Sequence, residues 1–262
     1  MLNKKSLIIH GVFVAIQIII TCIFLFAEMS SRTFSALNFS VVAIAFVHAI
    51  IVSGKSPHQI IFLTAMLFTV ISDVFLTLRY TKTGSYTDQV VAMCTFSVTQ
   101  ICYAIYLFLQ SNNKKVKIAS VIVRAILSLV QYVEAQQCLG QLTVYILHRD
   151  GNALAVIAMF YFTNLIVNAL FAFIEFKNNP LFAVGLLFFI FCDILIGLGI
   201  AMEMFITVSQ TSFIYKMVYG FNHGWMFYSI SQTLISLSIS QNLAFLRKCE
   251  NKTADKKKVS HR

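Results

Sequence analysis

"FTVISDVFLTL", residues Phe68–Leu78, sets one carboxylate in the middle of a mostly apolar and otherwise uncharged run. Extended outward to 59–79, the run reaches the roughly 20 residues that a helix needs to cross a hydrocarbon core. "FFIFCDILIGL", Phe188–Leu198, repeats the arrangement around Asp193, 120 positions after Asp73. A charged aspartate at mid-bilayer costs about 2.5–3.5 kcal/mol on insertion scales, so neither side chain is expected to face lipid. The fold has to be a helix bundle that turns both acids inward.

Composition agrees with that reading. The chain has 262 residues, of which 58% are hydrophobic and only 11% charged, with a mean hydropathy of +0.80. An average soluble domain has about 25% charged residues. The net charge of +10 is no sign of a nucleic-acid partner, because the basic residues gather at segment ends, where membrane topology draws them. The six cysteines form no CxxC, and five lie in apolar segments as small hydrophobes, so neither a disulfide framework nor a metal site is expected.

Eight stretches are long and apolar enough to span: about 7–27, 36–53, 59–79, 89–109, 117–137, 153–174, 181–202 and 224–245. Together they predict an all-α membrane bundle that forms one domain, residues 1–246, followed by a basic, disordered tail over 247–262. Eight spans put both termini on one side with the loops holding Lys55, Lys114, Lys115, Lys117 and Lys177. That side collects fourteen of the 20 Lys and Arg against five on the other, with Arg124 inside a span. The positive-inside rule makes it the cytoplasmic side.

The two acids occupy equivalent places, each on the third span of a group of four. The next spans match as well: "FSVTQI" (Phe96–Ile101) aligns with "YSISQT" (Tyr228–Thr233), pairing Ser97 with Ser229 and Gln100 with Gln232. A four-plus-four pseudo-repeat keeps its orientation, and its axis runs along the membrane normal. Asp73 and Asp193 then lie at one depth, roughly 18–21 Å from the cytoplasmic starts of their helices. Two facing carboxyls in a buried site do not both ionise. One stays a protonated acid while its partner is a carboxylate, which is the pairing that acid–base catalysis uses. The structural alternative is a pair of interhelical hydrogen bonds that hold the bundle together.

At these residues the sequence resembles the YhhN-type lysoplasmalogenases, a family of eight-span membrane proteins. The resemblance rests on Ser72-Asp73-Val74-Phe75-Leu76 and on Phe96 to Tyr103, with Gln100 where the family usually has His. It rests also on Gly185, Phe189, Cys192 and Asp193, with Cys192 in place of Ser, and on Tyr228 and Gln232. It implies hydrolysis of the vinyl-ether bond of a lysophospholipid to a fatty aldehyde and a glycerophospho head group. One acid protonates the vinyl carbon, a carboxylate stabilises the oxocarbenium ion and orients water, and no metal or cofactor is required. Asp73 and Asp193 are the expected catalytic pair, with Gln100, Tyr103, Tyr228 and Gln232 as supporting groups. The resemblance also implies the endoplasmic reticulum in a eukaryote or the plasma membrane in a bacterium.

Other constellations are weaker. No histidine pair has zinc-hydrolase spacing, and no GxSxG nucleophile motif is present. Arg124 is placed either to reach a substrate phosphate or to snorkel to the surface. Arg79 reads as an anchor at the outer end of its span, and Glu134 as a group near the outer end of span five. "YGFNHGW" (Tyr219–Trp225) reads as an interfacial aromatic segment. Two other functions fit the paired acids: a proton-coupled transporter and a non-catalytic paralogue. Against the transporter, the only two prolines, Pro57 and Pro180, lie in loops, so no span is broken by Pro.

Overall fold

The structure, a computed structural model, describes residues 4–26, 30–145, 151–204, 215 and 224–240. The basic tail, residues 219–223 of the aromatic segment and the end of the eighth expected span lie outside the described residues. So does the side chain of Glu134.

Every element among the described residues is helical. We label them α1 (Lys4–Phe26), α2 (Ser31–Val52), α3 (Pro57–Asp73), α4 (Tyr86–Gln110), α5 (Lys114–Tyr145), α6 (Gly151–Ile174), α7 (Pro180–Met204) and α8 (224–240). The first seven, with α3 taken together with the residues that follow it to Tyr80, are each long and apolar enough to cross a membrane. In α8 the described run is shorter than the expected span 224–245, because its last residues are not described.

Local chemistry sets the helix ends. Ser30 precedes α2, and its side chain accepts the Thr33 N–H at 3.3 Å. Pro57 opens α3 at a position where a missing N–H costs nothing. Asn179 accepts the Phe182 N–H at 3.3 Å ahead of α7, while its amide donates to the Tyr106 hydroxyl at 3.0 Å. One departure was not expected: α3 does not continue as an α-helix beyond Asp73. Residues Val74–Tyr80 form a π-helix, followed by one α-turn, Thr81–Thr83, and a left-handed Gly84 at φ 61°.

Lipid is as apolar as leucine, so close packing and polar seams hold such a bundle together. Small hydroxyl residues zip α3 to α4. Ser72 donates to Thr95 at 2.7 Å, Thr69 to Thr99 at 3.4 Å, and Thr99 to the Ala65 carbonyl at 3.2 Å. Below this zipper Phe62, Tyr103, Tyr106 and Phe182 pack ring on ring, with centroids 5.1–6.1 Å apart, and tie α3, α4 and α7 together. Each such aromatic pair adds about 0.5–1.5 kcal/mol beyond its buried area. Gly185 lets α7 and α8 approach closely. A Cβ there would lie 2.8 Å from Ile235 Cγ1 and 3.1 Å from the Ile235 backbone nitrogen.

Candidate active site

The last α-helical residue of α3 is Asp73, which is buried. The α3–α4 zipper fixes its height, and the π-helix begins at the next residue. Widening the helix there takes carbonyls out of the α-pattern, and the Thr77 hydroxyl donates to the Asp73 carbonyl at 2.5 Å. Single π-turns inside helices occur often at functional sites, where they re-aim one side chain. Here the re-aimed segment follows directly on the acid.

Asp73 and Asp193 line one cavity of about 450 Å³, and Asp73 lies within electrostatic reach of Asp193. Each carboxyl is held by a tyrosine. The Tyr228 hydroxyl of α8 donates to Asp73 Oδ2 at 2.5 Å, and the Tyr161 hydroxyl of α6 donates to Asp193 Oδ2 at 2.5 Å. Asp73 Oδ1 has no partner among the described residues. The rest of the wall is apolar, including Met93, Phe96, Phe162, Phe189 and Trp225, with Gln89 as one further polar group. The rim includes Ile194, Ile196 and Leu198 of α7, whose side chains are exposed on the apolar outer surface. The volume falls in the 300–1,000 Å³ range usual for small-molecule sites.

Of the residues singled out from the sequence, Asp73, Asp193 and Tyr228 come together here. Gln232 is fully buried one turn along α8 from Tyr228 and does not line the cavity. Tyr103 belongs to the aromatic cluster beneath, with Thr69 as the polar neighbour of its hydroxyl. Gln100 accepts from the Asn168 side chain at 2.9 Å, and Asn168 in turn accepts from Arg124 Nη2 at 2.6 Å. Arg124 also reaches Asn164 and Ser120, so its guanidinium points into α6 rather than into the cavity. Gln100 and Arg124 therefore brace the α4–α5–α6 packing, and Tyr103 the α3–α4–α7 packing, away from the paired acids. Arg79 is more than an anchor, since it pairs with Asp88 at 3.1 Å and lies over the Phe75 ring. Histidines that looked isolated are not all so: His48 meets His10 at 2.9 Å.

Tyr161 was missed. It sits in "AMFYFTNLI" (Ala158–Ile166), where nothing in spacing or charge marks it. The available signal was physical: a tyrosine deep in a span needs a partner for its hydroxyl, and an unpaired aspartate is a good one. The four-plus-four alignment pointed elsewhere, to Phe96 as the counterpart of Tyr228. Phe96 does line the cavity but has no hydroxyl to give.

These features define a class: a helix bundle of membrane-spanning dimensions with two tyrosine-held carboxyls on the wall of an apolar cavity. The model of the YhhN family matches residues 31–239, and the chain belongs to that family. Comparison with curated proteins and with solved structures finds no match.

Proposed function

We propose that the protein is a multi-pass membrane hydrolase that cleaves the vinyl-ether bond of a lysophospholipid held in this cavity. The observation that carries the reading is the meeting of two carboxyls on one apolar wall. The YhhN family is consistent with a hydrolase.

The chemistry uses what the site offers. A vinyl ether is cleaved by proton transfer to the carbon β to oxygen, which leaves an oxocarbenium ion. One carboxylic acid of the pair gives that proton. The partner carboxylate faces the cation and takes a proton from the water that adds to it. The resulting hemiacetal collapses to aldehyde and alcohol, and the pair ends with the proton count it began with. Tyr228 and Tyr161 hold the two carboxyls in place by bonding one oxygen of each. The apolar walls suit a hydrocarbon chain, and the apolar rim suits entry from the bilayer. No resident metal or cofactor enters these steps.

The test is aldehyde release from a lysoplasmenyl lipid by purified protein beside Asp73→Asn and Asp193→Asn. Release by wild type, lost in both folded variants, supports the hydrolase. A transporter would instead give uptake driven by a pH gradient and no aldehyde.

A further inference from the structure

A second polar system leaves the cavity along α8. Tyr228, Gln232 and Ser236 follow at four-residue steps, so they share one face at about 6 Å intervals. Tyr228 ends the column on Asp73. At the other end Ser236 Oγ lies 2.7 Å from His48 Nδ1, His48 Nε2 lies 2.9 Å from His10 Nδ1, and His10 Nε2 lies 3.2 Å from Ser6 Oγ. Ser6 and His10 are only partly buried, near the start of α1.

The hydrogen-bond directions are mutually consistent. Ser236 has one hydroxyl hydrogen and donates it to the Ala45 carbonyl at 2.7 Å. His48 Nδ1 must then carry the hydrogen that points at Ser236, which leaves Nε2 to accept from His10. His10 in turn accepts from Ser6. The network assigns these tautomers, and every donor points inward. The Phe13 ring, stacked 3.9 Å from the His48 ring at 10°, holds the imidazole plane.

Between the two ends the column has orphans. Gln232 is fully buried, and neither its Oε1 nor its Nε2 has a partner among the described residues. Gln17 Oε1 and Asn38 Oδ1 are buried and unpartnered too. Register puts Gln232 and Gln17 at one level, with Asn38 further toward the Thr21–Ser229 end. The Thr21–Ser229 contact at 2.7 Å pins α1 to α8 on one side of that level, and the His48–Ser236 contact pins α2 to α8 on the other. Gln17 is one turn from Thr21, and its amide donates to the Val41 carbonyl, one turn from Asn38. Each buried, unsatisfied amide costs about 1–3 kcal/mol, and folds relieve such clusters with enclosed water.

We propose that the α1–α2–α8 seam is a water-bearing proton route from Ser6 and His10 to Asp73, with Gln232 holding the waters at its midpoint. Each neutral imidazole takes a proton on one nitrogen and releases the other. Ser236 turns its hydrogen from the Ala45 carbonyl toward the waters, and each water and hydroxyl hands on one proton for each one it receives. A proton passes with no net change in any member's charge, and the imidazoles are left in the other tautomer until their hydrogens are reset. The Gln232 amide carries no proton; it is a positioning residue for the waters. The route supplies Asp73 from the side opposite the apolar mouth. Its value for catalysis rests on the hydrolase reading above, but its existence does not.

The experiment follows proton exchange at the carboxyl itself. Protein in lipid nanodiscs is transferred to D2O, and the infrared carboxyl band that is lost in Asp73→Asn is timed as it shifts. Gln232→Leu removes the group that holds the waters and His48→Gln removes the imidazole relay, and each is expected to slow the shift by about tenfold or more. Gln232→Asn restores most of the rate, and Ser128→Ala, on the exposed face of α5, leaves it unchanged. His48→Gln keeps a polar side chain, so it reads the route even where Gln232→Leu fails to fold. Unchanged exchange in the folded variants overturns the proposal, as does the lack of any carboxyl band that depends on Asp73. A wild type that shows Gln232-dependent exchange but releases no aldehyde sinks the hydrolase and leaves the route standing. Aldehyde release with Gln232-independent exchange does the reverse.

Discussion

One tyrosine hydroxyl on one carboxylate oxygen is the repeated unit of this site. The bond fixes the carboxyl plane and leaves the second oxygen of Asp73 without a partner among the described residues. General acid–base groups contribute about 10²–10⁴-fold, so Asp73→Asn and Asp193→Asn should each lower kcat for aldehyde release by that order. Tyr228→Phe and Tyr161→Phe each remove a hydrogen bond to one carboxyl of the pair, worth about 1.5–3 kcal/mol on the carboxylate and about 0.5–1.5 kcal/mol on the protonated acid, and should cost up to about 100-fold and about 10-fold in kcat respectively, with a small change in KM. Equal kinetics for either Tyr→Phe variant and wild type would show that the hydroxyls only fill space. The acids and Tyr228 were legible because charge and motif mark them in an apolar background. Tyr161 was not, because an aromatic in a span looks like core until its neighbours are known.

At the scale of the element, hydropathy located most helices to within a few residues; α2 starts at Ser31, ahead of the expected 36, and α5 runs on to Tyr145, past the expected 137. The expected run 59–79 and the observed Pro57–Tyr80 are one span, because length and apolarity are what a bilayer selects. The π-helix after Asp73 was illegible, since the choice between i→i+4 and i→i+5 bonding leaves no trace in residue type. The close approach of α7 and α8 was half legible. Gly185 belonged to a recognised motif, but only the structure supplies its reason, which is that α8 backbone fills the space of a side chain. Gly185→Ala should therefore cost about 1–3 kcal/mol and lower the melting temperature in detergent. Gly11→Ala, where a Cβ meets nothing within 4 Å, serves as the control. A similar melting temperature for both variants would mean that α7 and α8 can separate without loss. The Thr77 bond to the Asp73 carbonyl belongs to the same scale, and Thr77→Val should cost about 1 kcal/mol as the π-turn loses the bond that the hydroxyl donates.

For the whole molecule, the placing of the cavity matters more than its size. Its rim lies among exposed apolar side chains of α7, so the substrate is expected to arrive through the bilayer. Turnover should then follow the mole fraction of substrate in the membrane and ignore its amount per volume of buffer. Doubling inert phospholipid at fixed substrate should halve the rate at subsaturating levels, as read by aldehyde release from vesicles. A rate that follows bulk concentration instead would point to entry from water. The expectation of eight spans with both termini in the cytoplasm has its own check, labelling of single cysteines placed at each end in sealed vesicles. Opposite accessibility of the two ends would require an odd number of crossings.

The bond between Tyr228 and Asp73 spans 155 positions of chain. It has a consequence for biosynthesis. While the protein is being made, α3 enters the membrane long before α8 has been translated, and until then Asp73 has no tyrosine to hold it. The half-made protein carries an acid without its donor in a setting that penalises it by a few kcal/mol. The Asp73 side of the site is therefore completed only after α8 has been made. A chain cut short before Tyr228 is expected to carry Asp73 without its hydroxyl donor.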